Sequence, residues 1–141
     1  MTKILLVDDD HEILESTSAL LREFGYEVST CGDSEKVIER MRFERPDLVL
    51  HDVRMPGLDL RAQMDSIHNE PDIRHTPVVL FTAVMSAKSL AEEVGADDAI
   101  EKPFDAEKLL RVIHESAMRT SRREKALAWT PRKTRQEHGS L

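Results

Sequence analysis

Five short strand-like runs, three of them largely apolar, punctuate the chain, and four of the five stop at side chains that carry oxygen or nitrogen chemistry. Ile4 to Val7 runs into Asp8 and Asp9, Leu48 to His51 into Asp52, Val78 to Phe81 into Thr82, and Ala99 to Glu101 into Lys102, while Val28 to Cys31 makes the remaining run. Apolar runs this short, bounded by polar and turn residues, are what strands buried on both faces of a parallel sheet require. Between them, apolar side chains recur at helical spacing: Ile13, Thr17, Leu20, Leu21 and Phe24, then Val37, Ile38 and Met41, then Leu60, Met64 and Ile67. A short helix from about Ala87 to Val94 follows, and a last one from near Asp105 carries Ala106, Leu109, Leu110, Ile113 and Ala117. Gly25 and Gly95 are natural helix ends, and Ser34 is expected to cap the second helix. Strands alternating with helices in this way predict an α/β fold. Its parallel sheet is covered by helices on both faces, because right-handed crossovers permit little else.

In open sheets of this kind ligands bind outside the carboxyl ends of the strands. Asp8, Asp9, Asp52, Thr82 and Lys102 all fall at that edge. Three carboxylates gathered there would repel one another unless a cation compensates them. Magnesium suits such a cluster, since it prefers oxygen ligands and keeps positions open for water or a phosphoryl oxygen. Asp52 is then positioned as a nucleophile toward a phosphoryl group, Lys102 to hold one of its oxygens, and Thr82 to donate a hydroxyl. The expectation is a switch rather than an enzyme with a substrate pocket.

Val7-Asp8-Asp9, Leu50-His51-Asp52-Val53-Arg54-Met55-Pro56-Gly57, Phe81-Thr82-Ala83, Gly95-Ala96-Asp97-Asp98 and Lys102-Pro103-Phe104 resemble, in order, the motifs of response regulator receiver domains, over roughly residues 3–118. The resemblance implies a flavodoxin-like, doubly wound five-stranded sheet in the order 2-1-3-4-5. It implies that Asp52 is the phosphoacceptor, that Asp8 or Asp9 binds Mg2+ together with Asp52 and the Arg54 backbone carbonyl, and that Thr82 and Lys102 read the phosphate. Lys102-Pro103 would be a cis peptide, which only an X-Pro bond tolerates at low cost. The implied partners are a sensor histidine kinase as phosphoryl donor and an unidentified downstream protein. The implied chemistry is confined to the domain's own phosphorylation and dephosphorylation. The alternatives are a transcription-regulating receiver or a degenerate one, acting through a homodimer of the fourth helix, fifth strand and fifth helix, or through constitutive docking. A phosphatase or phosphotransferase with an aspartyl intermediate would need a substrate pocket and a second acid-base group, neither of which the sequence offers clearly.

Several positions depart from that family. Ala99 stands where receivers usually carry an aromatic residue, three positions before the motif lysine, so output must use backbone shifts or another side chain. The stretch from Thr82 to Gly95 is about two residues shorter than is common, which should shorten or tilt the fourth helix. Arg54 and Val84 lie two residues past the acceptor and the threonine, positions that in that family tune the loss of the phosphoryl group to water; Arg54 would cover the phosphate, and Val84 cannot orient water. The expected aspartyl phosphate is therefore a persistent one.

The charge distribution sets further limits. Residues 1–118 carry a net charge of −12 and residues 119–141 one of +5, so any contact with nucleic acid is expected only through the tail. Residues 1–118 are read as the receiver domain, and 119–141 as a basic helix extension or disordered tail. The lone Cys31 allows no intrachain disulfide, and no apolar stretch approaches membrane-spanning length, which together point to the cytoplasm and to no membrane partner. The six histidines share no metal-ligand spacing. His51 adjoins the acceptor, but strand alternation points it to the opposite side, where it is expected to pack or bond locally.

Overall fold

The computed structural model describes residues 1–102 and 105–129, with side chains up to Arg119. The apolar runs become β1 (Lys3–Val7), β2 (Glu27–Cys31), β3 (Leu48–His51), β4 (Val78–Thr82) and β5 (Asp98–Glu101), and the intervening segments become α1 (His11–Glu23), α2 (Val37–Glu44), α3 (Leu60–His68), α4 (Ala87–Val94) and α5 (Ala106–Trp129). All pairings are parallel and the order is β2-β1-β3-β4-β5, so the strand order reverses between β1 and β3. The flavodoxin-like doubly wound arrangement is as expected.

Strand alternation divides the core in two. Leu5, Val7, Val49, Leu80 and Ala99 face α2, α3 and α4, meeting Val37, Met41, Met64, Ile67, Ala87, Ala91 and Val94. Ile4, Leu6, Leu48, Leu50, Val79, Phe81 and Ile100 face α1 and α5, meeting Leu14, Leu21, Leu109, Val112 and Ile113. Each fully buried aliphatic side chain here contributes about 1.5–3 kcal/mol, and these two layers hold the polar strand ends in register.

Two helical details differ from the sequence reading. The buried face of α1 is Leu14, Thr17, Ser18 and Leu21, whereas Phe24 is 56% exposed. The i, i+3, i+4, i+7 stripe starts one residue later than the aromatic suggested, and Phe24 is already the residue that ends the helix. Ser34 does not cap α2. Asp33 accepts from the Glu35 N–H and opens a 3-10 turn at Ser34–Lys36, while Ser34 is buried with its hydroxyl donating to the Pro56 carbonyl at 3.3 Å. Asp33 and Ser34 are comparable capping types, and with the Ser34 hydroxyl spent on Pro56 the cap falls to Asp33, one residue earlier. The expected cis peptide at Lys102-Pro103 and the tail beyond Trp129 lie outside the described residues. Among the described residues, no helix is long and apolar enough to cross a membrane.

Candidate functional site

The carboxyl edge of the sheet is assembled by three neighbouring strands and the loop after a fourth. β1 ends at Val7 and β3 at His51, paired with each other, so Asp8 and Asp52 emerge side by side. Asp52 N–H donates to the Val7 carbonyl at 2.9 Å, extending the ladder to the acceptor itself. Asp8 is 1% exposed and Asp52 6%, while Asp9 is open to solvent. Carboxylate oxygens of Asp8, Asp9 and Asp52 all lie within 4.8 Å of one another. Such a group of hard oxygen donors fits a small divalent cation.

Lys102, just past β5, reaches into this cluster. Its Nζ lies 2.9 Å from Asp8 Oδ2 and 3.9 Å from Asp52 Oδ1. The Lys102 backbone N–H donates to the Thr82 carbonyl at 2.7 Å, which fixes the root of the side chain. The ammonium also sits 4.2 Å from the centroid of the Phe81 ring, so the ring face bounds its position from the core side. Thr82 is 1% exposed, and its Oγ1 accepts from the Val84 N–H at 3.1 Å. That bond uses an oxygen lone pair and leaves the hydroxyl hydrogen to donate elsewhere.

Burial pushes the Asp52 carboxyl above its usual value, and the negative Asp8 adds to the effect. Lys102 opposes the shift, as do backbone N–H bonds from Arg54 and Val53, the latter at 2.8 Å to Oδ1. An ionised Asp52 therefore calls for more positive charge than Lys102 alone supplies. Asp8 Oδ1 accepts the Asp10 N–H at 3.0 Å, and Asp10 in turn caps α1 through the Glu12 and Ile13 N–H groups. The cap orients the loop that carries Asp8 and Asp9.

The residues expected from the sequence thus meet: Asp8, Asp9 and Asp52 as one cluster, Lys102 against two of them, and Thr82 tied to Lys102 through the backbone. Arg54 follows in the β3–α3 turn, with its N–H on Asp52. Three further contributors escape a reading of the sequence. Asp10 could have been found as a cap residue directly before a helical pattern. Phe81 looks like ordinary core, and Gln63 on α3, which reaches the buried His51, has no signal beyond its helical position.

Residues 4–114 match the family of the response regulator receiver domain. The chain belongs to this receiver family. It is 36% identical over 120 residues to a probable transcriptional regulator, ycf27, of Cyanophora paradoxa, covering 84% of the chain and 49% of that relative. The chain spans about half the length, or less, of the curated relatives it matches. Among solved structures, the chemotaxis protein CheY4 of Vibrio cholerae superposes with a TM-score of 0.75 at 30% identity, covering 82% of this chain and 98% of that one. The receiver domain of a sensor histidine kinase of Pseudomonas aeruginosa, solved with a magnesium ion in its active-site cleft, gives a TM-score of 0.74 at 27% identity, with 82% and 97% coverage. The acidic cluster of the present receiver lies at the carboxyl edge of its own sheet. Ala99 is buried in the same cluster as Ala87, Ala91 and Val94, so this receiver seats α4 on β5 through small side chains.

Proposed function

We propose that the chain is a phosphorylation-dependent signalling switch in which Asp52 accepts a phosphoryl group from the histidine of a sensor kinase. The observation that carries the reading is the convergence of Asp8, Asp9 and Asp52 within 4.8 Å, with Lys102 held against two of the three. A phosphoryl group brings further negative charge to an edge that is already acidic. Mg2+ fits the three carboxylates and the Arg54 backbone carbonyl, and when bound it would neutralise charge developing on the transferred group.

The chain's own residues divide the remaining work. An Asp52 carboxylate oxygen forms the new O–P bond as the P–N bond of the phosphohistidine breaks, and the imidazole nitrogen leaves with the electron pair. The Lys102 ammonium needs only a small displacement from Asp8 to hold a phosphoryl oxygen. Thr82 donates its hydroxyl hydrogen to another, which would draw the β4–α4 loop inward. Asp9, exposed at the mouth, completes the cation site without closing it.

Incubation with acetyl phosphate and Mg2+, followed by intact-mass measurement, tests the reading. The native chain is expected to gain one phosphoryl group in a chelator-sensitive manner, and Asp52→Asn none. Equal labelling of the two proteins would refute it.

A further inference from the structure

Among the buried polar side chains of the described residues that the cluster does not use, one adjoins the acceptor in the chain. His51, fully enclosed at 0% exposure, lies beneath the acceptor on the side of the sheet covered by α2 and α3. Its Nδ1 is 2.6 Å from the Asp52 backbone carbonyl oxygen, and its Nε2 is 3.4 Å from the Gln63 amide nitrogen. A carbonyl oxygen only accepts, so Nδ1 carries the hydrogen. The Gln63 nitrogen also donates to the Ser34 carbonyl at 2.9 Å, which orients the amide and directs its second hydrogen at His51 Nε2. Ser34 closes the chain of contacts by donating its hydroxyl to the Pro56 carbonyl at 3.3 Å.

One peptide plane links this network to the acceptor. The carbonyl of the 52–53 peptide is the oxygen His51 holds, and the N–H of the same plane donates to Asp52 Oδ1 at 2.8 Å. Turning that plane would break both contacts together and let the carboxylate rotate away from Lys102. We propose that His51 is a positioning residue for Asp52, locking the 52–53 peptide plane through its Nδ1–H, with Gln63 and Ser34 locking the ring. The functional part of this inference rests on the reading of Asp52 as the phosphoacceptor; the structural part does not. Ser34 and His51 together hold the β3–α3 turn at the Pro56 and Asp52 carbonyls, on either side of Arg54, so the part of the turn that carries Arg54 is set by the same network. His51 acts through backbone geometry and touches no reacting atom.

Three variants and two readouts test it: initial rates of phosphoryl uptake from acetyl phosphate with Mg2+, and NMR of the His51 ring and the Val53 amide. His51→Asn keeps a donor near the Nδ1 position, whereas His51→Leu keeps bulk and loses the donor. The Leu variant is expected to slow uptake about tenfold, the equivalent of one hydrogen bond, and to speed Val53 amide exchange, while Asn stays within about twofold of wild type. Wild-type His51 is expected to show protonated Nδ1 and bare Nε2. Gln63→Leu keeps His51 and loosens the ring, so it carries the same test should His51→Leu fail to fold: Val53 exchange rises and an Nε2–H tautomer emerges. Equal rates for the Leu and Asn variants, unchanged Val53 exchange in Leu, or an Nε2–H tautomer in the wild type would overturn the proposal. Absence of uptake by the wild type would instead defeat the acceptor reading, leaving Val53 exchange and the tautomer to decide the positioning.

Discussion

At the scale of single residues, the cluster stores unfavourable charge. The fold raises the Asp52 carboxyl above the ordinary 3.8, chiefly by burial. In the window between that value and the raised one, the folded state binds more protons than the unfolded state, so stability falls as pH rises and stays lower above it. Metal-free Asp52→Asn is therefore expected to melt a few degrees above wild type at neutral pH. Lys102 works the other way, because it compensates two buried carboxylates. Lys102→Met should cost about 2 kcal/mol in urea unfolding, discounted for the partial exposure of the ammonium, with part of the loss recovered on adding Mg2+. A Lys102→Met variant as stable as wild type would mean that the three carboxylates do not share a cation requirement.

At the scale of elements, helix boundaries and cross-element ties decide stability. Gly95 ends α4 at φ +80°, and a Cβ there would come within 3.0 Å of His68 Cε1 at the end of α3. Gly95→Ala should cost about 1–2 kcal/mol, from left-handed strain and the crowding of His68. Ser86 opens α4 at φ 63° without a side-chain cap, so Ser86→Gly should cost nothing or gain up to about 1 kcal/mol, a contrast readable in paired thermal melts. On the opposite sheet edge, Glu44 of α2 is held below its usual 4.5 first by the Ser29 hydroxyl of β2, then by Lys3 of β1. A depressed carboxyl contributes stability that is present above 4.5 and lost as pH falls through the folded value. Ser29→Ala should therefore lower stability at neutral pH by up to about 1 kcal/mol, and the difference should shrink in acid.

The same elements explain what the sequence could and could not disclose. Central strands buried on both faces leave an unbroken apolar run, so β1, β3 and β4 can be read almost to the residue, and their polar ends with them. Only a parallel sheet brings such ends to one edge, which is why Asp8, Asp52, Thr82 and Lys102 are legible from the chain alone. Helix faces are less so: Ser18 is buried on α1 while Phe24 is not, because the half-buried stripe follows geometry rather than hydrophobicity. The His51–Gln63–Ser34 network is invisible in the sequence because its members lie on three separate elements, and no local spacing links them.

At the scale of the whole molecule, α5 runs 24 residues, to Trp129, and among the residues whose side chains are described, up to Arg119, the last buried one is Ser116. We infer that the folding unit ends near residue 118. Arg119 meets only Ser116 at 3.1 Å and Asp98 at 3.9 Å among the contacts described, both at a half-exposed guanidinium. Such surface pairs contribute little. A chain lacking residues 119–141 is expected to melt within about two degrees of the full chain; loss of cooperative melting would instead make the long helix part of the fold. The proposed function turns on where a phosphoryl group would be held. Borohydride reduces an aspartyl phosphate to homoserine, so reduction after treatment with acetyl phosphate and Mg2+, followed by peptide mapping, locates the acceptor directly. Homoserine at position 52, dependent on Mg2+, is the predicted result; homoserine at another carboxylate, or none at all, would contradict the account.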